Sequence, residues 1–93
     1  NEIAEIIMWA LSHNDISALK IIECFHMGKR AYSILNYLCK LGVVGDQFAN
    51  QPRKVLPKTV EDLSSGLVSF LEHHGYLSEH IAEAMNSKMG NQS

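Results

Sequence analysis

Residues 27–56 read MGKRAYSILNYLCKLGVVGDQFANQPRKVL. The first half carries one helical period. Ala31, Ile34, Leu35, Leu38 and Leu41 fall at i, i+3, i+4, i+7 and i+10, a stripe that can face a core. The spacing predicts a helix from about Lys29 to Leu41. Gly42 should close it, because glycine takes the left-handed conformation that ends helices. A short turn around Met27 and Gly28 should precede it, with Gly28 supplying a positive φ. The second half changes character. Val43 and Val44 start a short strand, GDQFANQP at 45–52 is a polar tip, and RKVL at 53–56 returns before Pro57 stops it. A tip this long predicts a loose hairpin.

Working outward, residues 3–11 predict a helix. Ile3, Ile6, Ile7 and Ala10 recur at helical spacing, widened by Trp9 and Leu11. SHND at 12–15 reads as a loop. Ser17 is the expected N-cap of a second helix, ALKIIECF, whose apolar face would use Leu19, Ile22 and Phe25, with Ile21 beside them. After the hairpin, Thr59 should cap a fourth helix, with Asp62 in the capping-box position. Leu63, Leu67, Phe70 and Leu71 form its stripe and Gly75 ends it. Ser78 should cap a last helix bearing Ile81, Ala82, Met85 and Met89.

The fold class expected is therefore mainly α. Three helices followed by a β-hairpin is the order of a winged helix-turn-helix, here with two additional C-terminal helices. We expect residues 1–58 to form the winged helix-turn-helix and residues 59–93 a helical extension packed on the same domain.

Ninety-three residues and 46% apolar content suit one globular domain. The sequence has no stretch of about 18 apolar residues, so no membrane-spanning helix is expected. Nor is a signal peptide, since NEIAEIIMWA carries acids where a signal carries cations. The chain begins at Asn1 rather than Met, which reads as a piece of a longer protein. Cys24 and Cys39 both lie in apolar helical patterns and read as reduced, semi-buried thiols of a cytoplasmic domain, not as a disulfide framework or a zinc site.

The net charge of −2 hides an asymmetry. Between Lys20 and Lys58 stand seven cations, Lys20, Lys29, Arg30, Lys40, Arg53, Lys54 and Lys58, against the two acids Glu23 and Asp46. The rest of the chain has Lys88 alone against eight acids. A basic middle between acidic ends points to one face for a polyanion.

The exposed side of the third helix follows from its buried side: Lys29, Arg30, Tyr32, Ser33, Asn36, Tyr37 and Lys40 point away from the stripe. In a helix-turn-helix the second paired helix enters the major groove. There arginine favours guanine O6 and N7, asparagine favours adenine N6 and N7, and lysine and tyrosine hydroxyls meet phosphates. The same composition also suits an ordinary solvated helix face. Arg53 and Lys54 leave the wing tip together, where a wing reaches the DNA backbone or the minor groove. Phe48 on the polar tip either tucks under the wing or touches a partner.

FHMG (25–28), KRA (29–31), GVVG (42–45) and QPRKVL (51–56), in that order and near-family spacing, resemble the gamma domain of FtsK/SpoIIIE-type DNA translocases. The resemblance covers about residues 16–58. It implies a winged fold that contacts duplex DNA and orients a motor lying elsewhere. The chain departs from the family pattern in several places. The turn after Gly28 is one residue shorter. The family's Asn-Arg pair falls on Lys29 and Arg30, so only the arginine is kept. The family's later helix arginine falls on Ser33, and the arginine before the turn glycine falls on His26. His26, in the turn, is a candidate phosphate contact, the alternative being a simple exposed or packing role. The departures put the family's G-rich octamer target in question for this chain.

The remaining features carry less. His73, His74 and His80 read as solvated histidines near helix ends, not metal ligands. No nucleophile stands in a recognisable setting and no phosphate-binding glycine loop exists, so no enzyme activity and no cofactor are expected. The expected partner is double-stranded DNA, with no membrane contact by this domain. The last helix, with Ile81, Met85 and Met89, would dock on the first helix or form a homodimer. The alternative is a winged-helix protein-interaction module that does not bind DNA.

Overall fold

The computed structural model describes residues 2–46 and 51–90, the last three of these by backbone alone. It is mainly helical, with one small antiparallel sheet. Helix α1 spans Glu2–Leu11, strand β1 Asp15–Ile16, α2 Ala18–Phe25, α3 Arg30–Lys40 and β2 Arg53–Lys54. A single 3-10 turn at Val60–Asp62 leads to α4, Ser65–His73, and α5, Ser78–Gly90.

The α3 stripe packs as its spacing requires. Ala31, Ile34, Leu35 and Leu38 are buried, and Leu41 at the C-cap is half-buried. Gly42 follows in the left-handed region at φ 82°. There the Val43 N–H donates to the Leu38 carbonyl at 2.9 Å and the Gly42 N–H to the Cys39 carbonyl at 3.1 Å. These two bonds satisfy carbonyls that a helix end otherwise leaves unpaired, and they turn Val43 into the core.

Helix α2 starts where the sequence placed it. The Ser17 hydroxyl accepts from the Lys20 N–H at 3.3 Å. Its buried face differs from expectation. Ile21 is fully buried, whereas Leu19 is 65% exposed. The correct stripe is Ala18, Ile21, Ile22 and Phe25, at i, i+3, i+4 and i+7, with Phe25 edge-on to Trp9 at 5.6 Å. The small Ala18 hid this stripe, because it adds little apolar bulk to the pattern. The turn also differs. His26, not Gly28, takes the left-handed conformation, at φ 53° and ψ 43°. The left-handed residue is needed at the end of α2, and His26 is the residue that falls there. Met27 is thereby tucked under the turn, buried.

The sheet corrects the hairpin. Its two arms do meet, through an antiparallel bridge between Val44 and Val55, with the Gly45 N–H donating to the Lys54 carbonyl at 2.9 Å. The regular ladder lies on the other edge. There β2 pairs with β1, Asp15 opposite Lys54 and Ile16 opposite Arg53. A segment read as loop at 12–15 thus supplies part of a strand. Buried Ile16 is what draws it in. Phe48 lies outside the described residues.

The fourth helix is split. The Asp62 carboxylate accepts from the backbone N–H groups of Lys58 at 3.0 Å and Thr59 at 3.2 Å, but the next residue, Leu63, is extended. Helix α4 begins afresh at Ser64, whose hydroxyl accepts from the Leu67 N–H at 3.2 Å. Two serines before Gly66 offer a better start than a continued turn. Leu67 and Leu71 are buried, Phe70 half-buried, and Gly75 at φ 94° ends the helix. Helix α5 begins one residue before the predicted cap geometry: Leu77 holds the cap position, and the His80 ring accepts its N–H at 3.2 Å. Ile81 and Met85 are buried where α5 packs on α1. Met89 lies beyond the described side chains.

Ile6, Ile7, Leu11, Ile21, Leu38, Val43, Leu71 and Ile81 meet in one continuous core. That core fixes the orientation of α3.

Candidate nucleic-acid interface

With about 100° of turn per residue, residues opposite the buried stripe of α3 line up along one ridge. Lys29, Ser33, Asn36 and Lys40 lie on it, all exposed. Tyr32, 56% exposed, stands on one shoulder, above the same side as half-buried Cys39. Tyr37, 45% exposed, stands on the other, with Arg30 two turns earlier.

The two shoulders face different neighbours. On the Arg30 side lies the start of α1, where the Arg30 guanidinium donates to the Glu2 carboxylate at 2.9 Å. Both partners are open to solvent, at 72% and 43% side-chain exposure. On the other side lies the sheet. The half-buried Arg53 donates through Nη2 to Asn36 Oδ1 at 3.0 Å, and the Cys39 thiol donates to Asp46 Oδ1 at 3.7 Å.

The structure therefore joins Asn36 with Arg53 and separates both from Arg30. It also separates Arg53 from Lys54. Successive residues of a strand point to opposite faces, so Arg53 turns to α3 while Lys54 turns away, opposite Asp15. The expectation that the two cations leave the tip together is corrected on this ground. His26 is exposed at the turn between α2 and α3. The basic middle is less pure in space than along the chain, because α1 and β1 bring Glu2 and Asp15 to its margins.

Sequence reading missed the Arg30–Glu2, Arg53–Asn36 and Cys39–Asp46 pairs and the role of His80 in capping α5. Only the last had a local signal, a polar acceptor three residues after the cap. It also misplaced Cys24, which is exposed rather than semi-buried. Both cysteines are free thiols. Cys24 borders a cavity of about 300 Å³ between α1, β1 and α2, with Trp9, His13 and Lys20 on its walls. Among the described residues no three His, Cys, Asp or Glu side chains gather as a metal site, and no helix is long and apolar enough to cross a membrane.

No protein-family model, no curated protein and no solved structure matches this chain.

Proposed function

We propose that this chain is a winged helix-turn-helix domain that docks on duplex DNA through α3 and β2. In this reading it resembles the translocase gamma domain and serves as a cytoplasmic module of a larger bacterial, phage or mobile-element protein. The observation that carries it is the ridge Lys29, Ser33, Asn36, Lys40, with Arg53 bonded to its middle. A helix exposing lysines at both ends and hydrogen-bonding groups between them matches phosphate contacts flanking a groove. The α1–β1–α2–α3 order with a crossing sheet supports the winged assignment. Glu72, Glu79 and Glu83 are exposed on α4 and α5, which leaves those helices a poor surface for a polyanion.

Fluorescence anisotropy with a labelled random-sequence duplex at low salt tests this. Binding should be micromolar or tighter and should weaken steeply as salt rises. No binding at low salt overturns the reading. A second reading, docking to a protein without DNA, draws on Leu19 and Leu56, which are 65% and 52% exposed. Self-association seen by light scattering, with no duplex affinity, would favour it. The α5 face is less suited to that role, since Ile81 and Met85 are already buried against this chain's own core.

A further inference from the structure

The cavity of about 300 Å³ between α1, β1 and α2 joins an aromatic wall to two opposite charges. Its apolar lining is Trp9, Ile16 and Pro52. Two rings brace the Trp9 indole: His13 lies 4.7 Å away at a tilt of 44°, and Phe25 stands edge-on at 5.6 Å. The charged lining is Asp15, on β1, and Lys20, in the first turn of α2. Both are exposed. Among the described residues neither the Asp15 carboxylate nor the Lys20 ammonium has a hydrogen bond or an ion pair, and the two do not pair with each other. Backbone contacts hold their positions: Asp15 stands opposite Lys54 in the ladder, and the Lys20 N–H donates to the Ser17 hydroxyl.

Two opposite charges kept apart along one cavity, beside an apolar wall, complement a molecule with both charges and an apolar body. The volume lies at the low end for ligand pockets, roughly 300–1,000 Å³, so that molecule is compact. We propose that this cavity binds a free α-amino acid with an aromatic side chain. Its carboxylate meets Lys20, its ammonium meets Asp15, and its ring lies against Trp9. Stacked or edge-on rings attract beyond the burial of their area. A simple anion of the same size would set its charge against Asp15, and a simple cation would set its charge against Lys20. The site is independent of the DNA-docking reading.

Trp9 is the only tryptophan of the chain, so its emission reports directly on this cavity. Three probes separate the charges: L-phenylalanine carries both, phenethylamine only the cation, and hydrocinnamate only the anion. Phenylalanine should change Trp9 emission saturably and raise the melting temperature as its concentration rises. It should bind about five-fold more tightly than either analogue, the upper end of what one exposed charge pair supplies. Lys20→Met keeps the aliphatic stem and should level phenylalanine with phenethylamine, leaving hydrocinnamate weaker. Asp15→Asn should level phenylalanine with hydrocinnamate, leaving phenethylamine weaker. Both positions are exposed, so neither change opens a hole in the core. Phenylalanine binding no more tightly than its analogues, or an unchanged ranking in either variant, overturns the roles given to the two charges. No saturable change of emission or melting temperature with any of the three probes overturns the site itself.

Discussion

The two shoulders of α3 each hold an arginine in a hydrogen bond, and the bonds differ in kind. Arg30 bonds a carboxylate, Glu2, across an exposed gap at 2.9 Å. Arg53 bonds a neutral amide, Asn36, from a half-buried position at 3.0 Å. The first pair cancels its own charge. The second sets a charged guanidinium against an uncharged amide. An exposed ion pair is worth about 0–1 kcal/mol, so Arg30 can leave Glu2 for a phosphate at small cost. One pair joins two opposite charges at an open surface, and the other joins a cation to a neutral amide beside the sheet.

The comparison depends on α3 being held rigidly, and this is where the largest effect is expected. Leu38 is fully buried beneath both shoulders. Leu38→Ala should cost about 2–5 kcal/mol in chemical denaturation, and both shoulders should lose their function together. A loss well under that range would mean that other contacts anchor the helix. Next is Lys54, which faces away from the Arg53 pair. Lys54→Ala should weaken every duplex by a similar factor and lower the salt slope by about one, with no change of sequence preference. A change of preference would place Lys54 in the reading group and erase the distinction between the strand's two faces.

Smaller again is the effect of releasing Arg30. Glu2→Gln removes the competing carboxylate, so duplex affinity should rise up to about five-fold at low salt, the limit set by an exposed pair. The gain should fade as salt rises, because salt screens the pair as well. Weaker binding in this variant would show that Glu2 orients Arg30 rather than restrains it.

The smallest expected effect concerns Asp62, a carboxylate spent on backbone rather than on a cation. The N–H groups of Lys58 and then Thr59 hold its pKa below the ordinary carboxylate value. A lowered folded-state pKa adds stability at pH above the unfolded value, and that stability is lost as pH falls through the lowered value. Asp62→Asn should therefore melt slightly below the wild type at neutral pH, and the gap should close in acid. A gap independent of pH would assign the difference to shape rather than charge.

The legible features of this chain are those carried by neighbours a few residues apart. The α3 stripe, the Ser17 cap and the stop at Gly42 all follow from contacts within one or two helical turns. The misreadings share a different cause. Leu19 looked buried because a leucine weighs more than Ala18 in any count, yet burial follows the direction of the side chain and not its size. Gly28 looked like the left-handed residue because glycine adopts that region most easily, yet the end of α2 fell on His26. The strand at Asp15–Ile16 went unread, and Asp15 looked like loop, because two residues make too short a pattern to show alternation.

At the candidate interface the division is the same. The sequence alone determined which α3 residues face outward, since the buried stripe leaves only one opposite side. Only the tertiary structure decided how they are grouped. Arg30 meets a residue 28 positions away and Asn36 meets one 17 positions away. Such partners are chosen by the crossing of α1 and the sheet over the core, and no local period encodes that crossing. The cations gathered in residues 27–56 are a property of the chain, whereas the sorting of its arginines into one paired with a carboxylate and one bonded to an amide is a property of the fold.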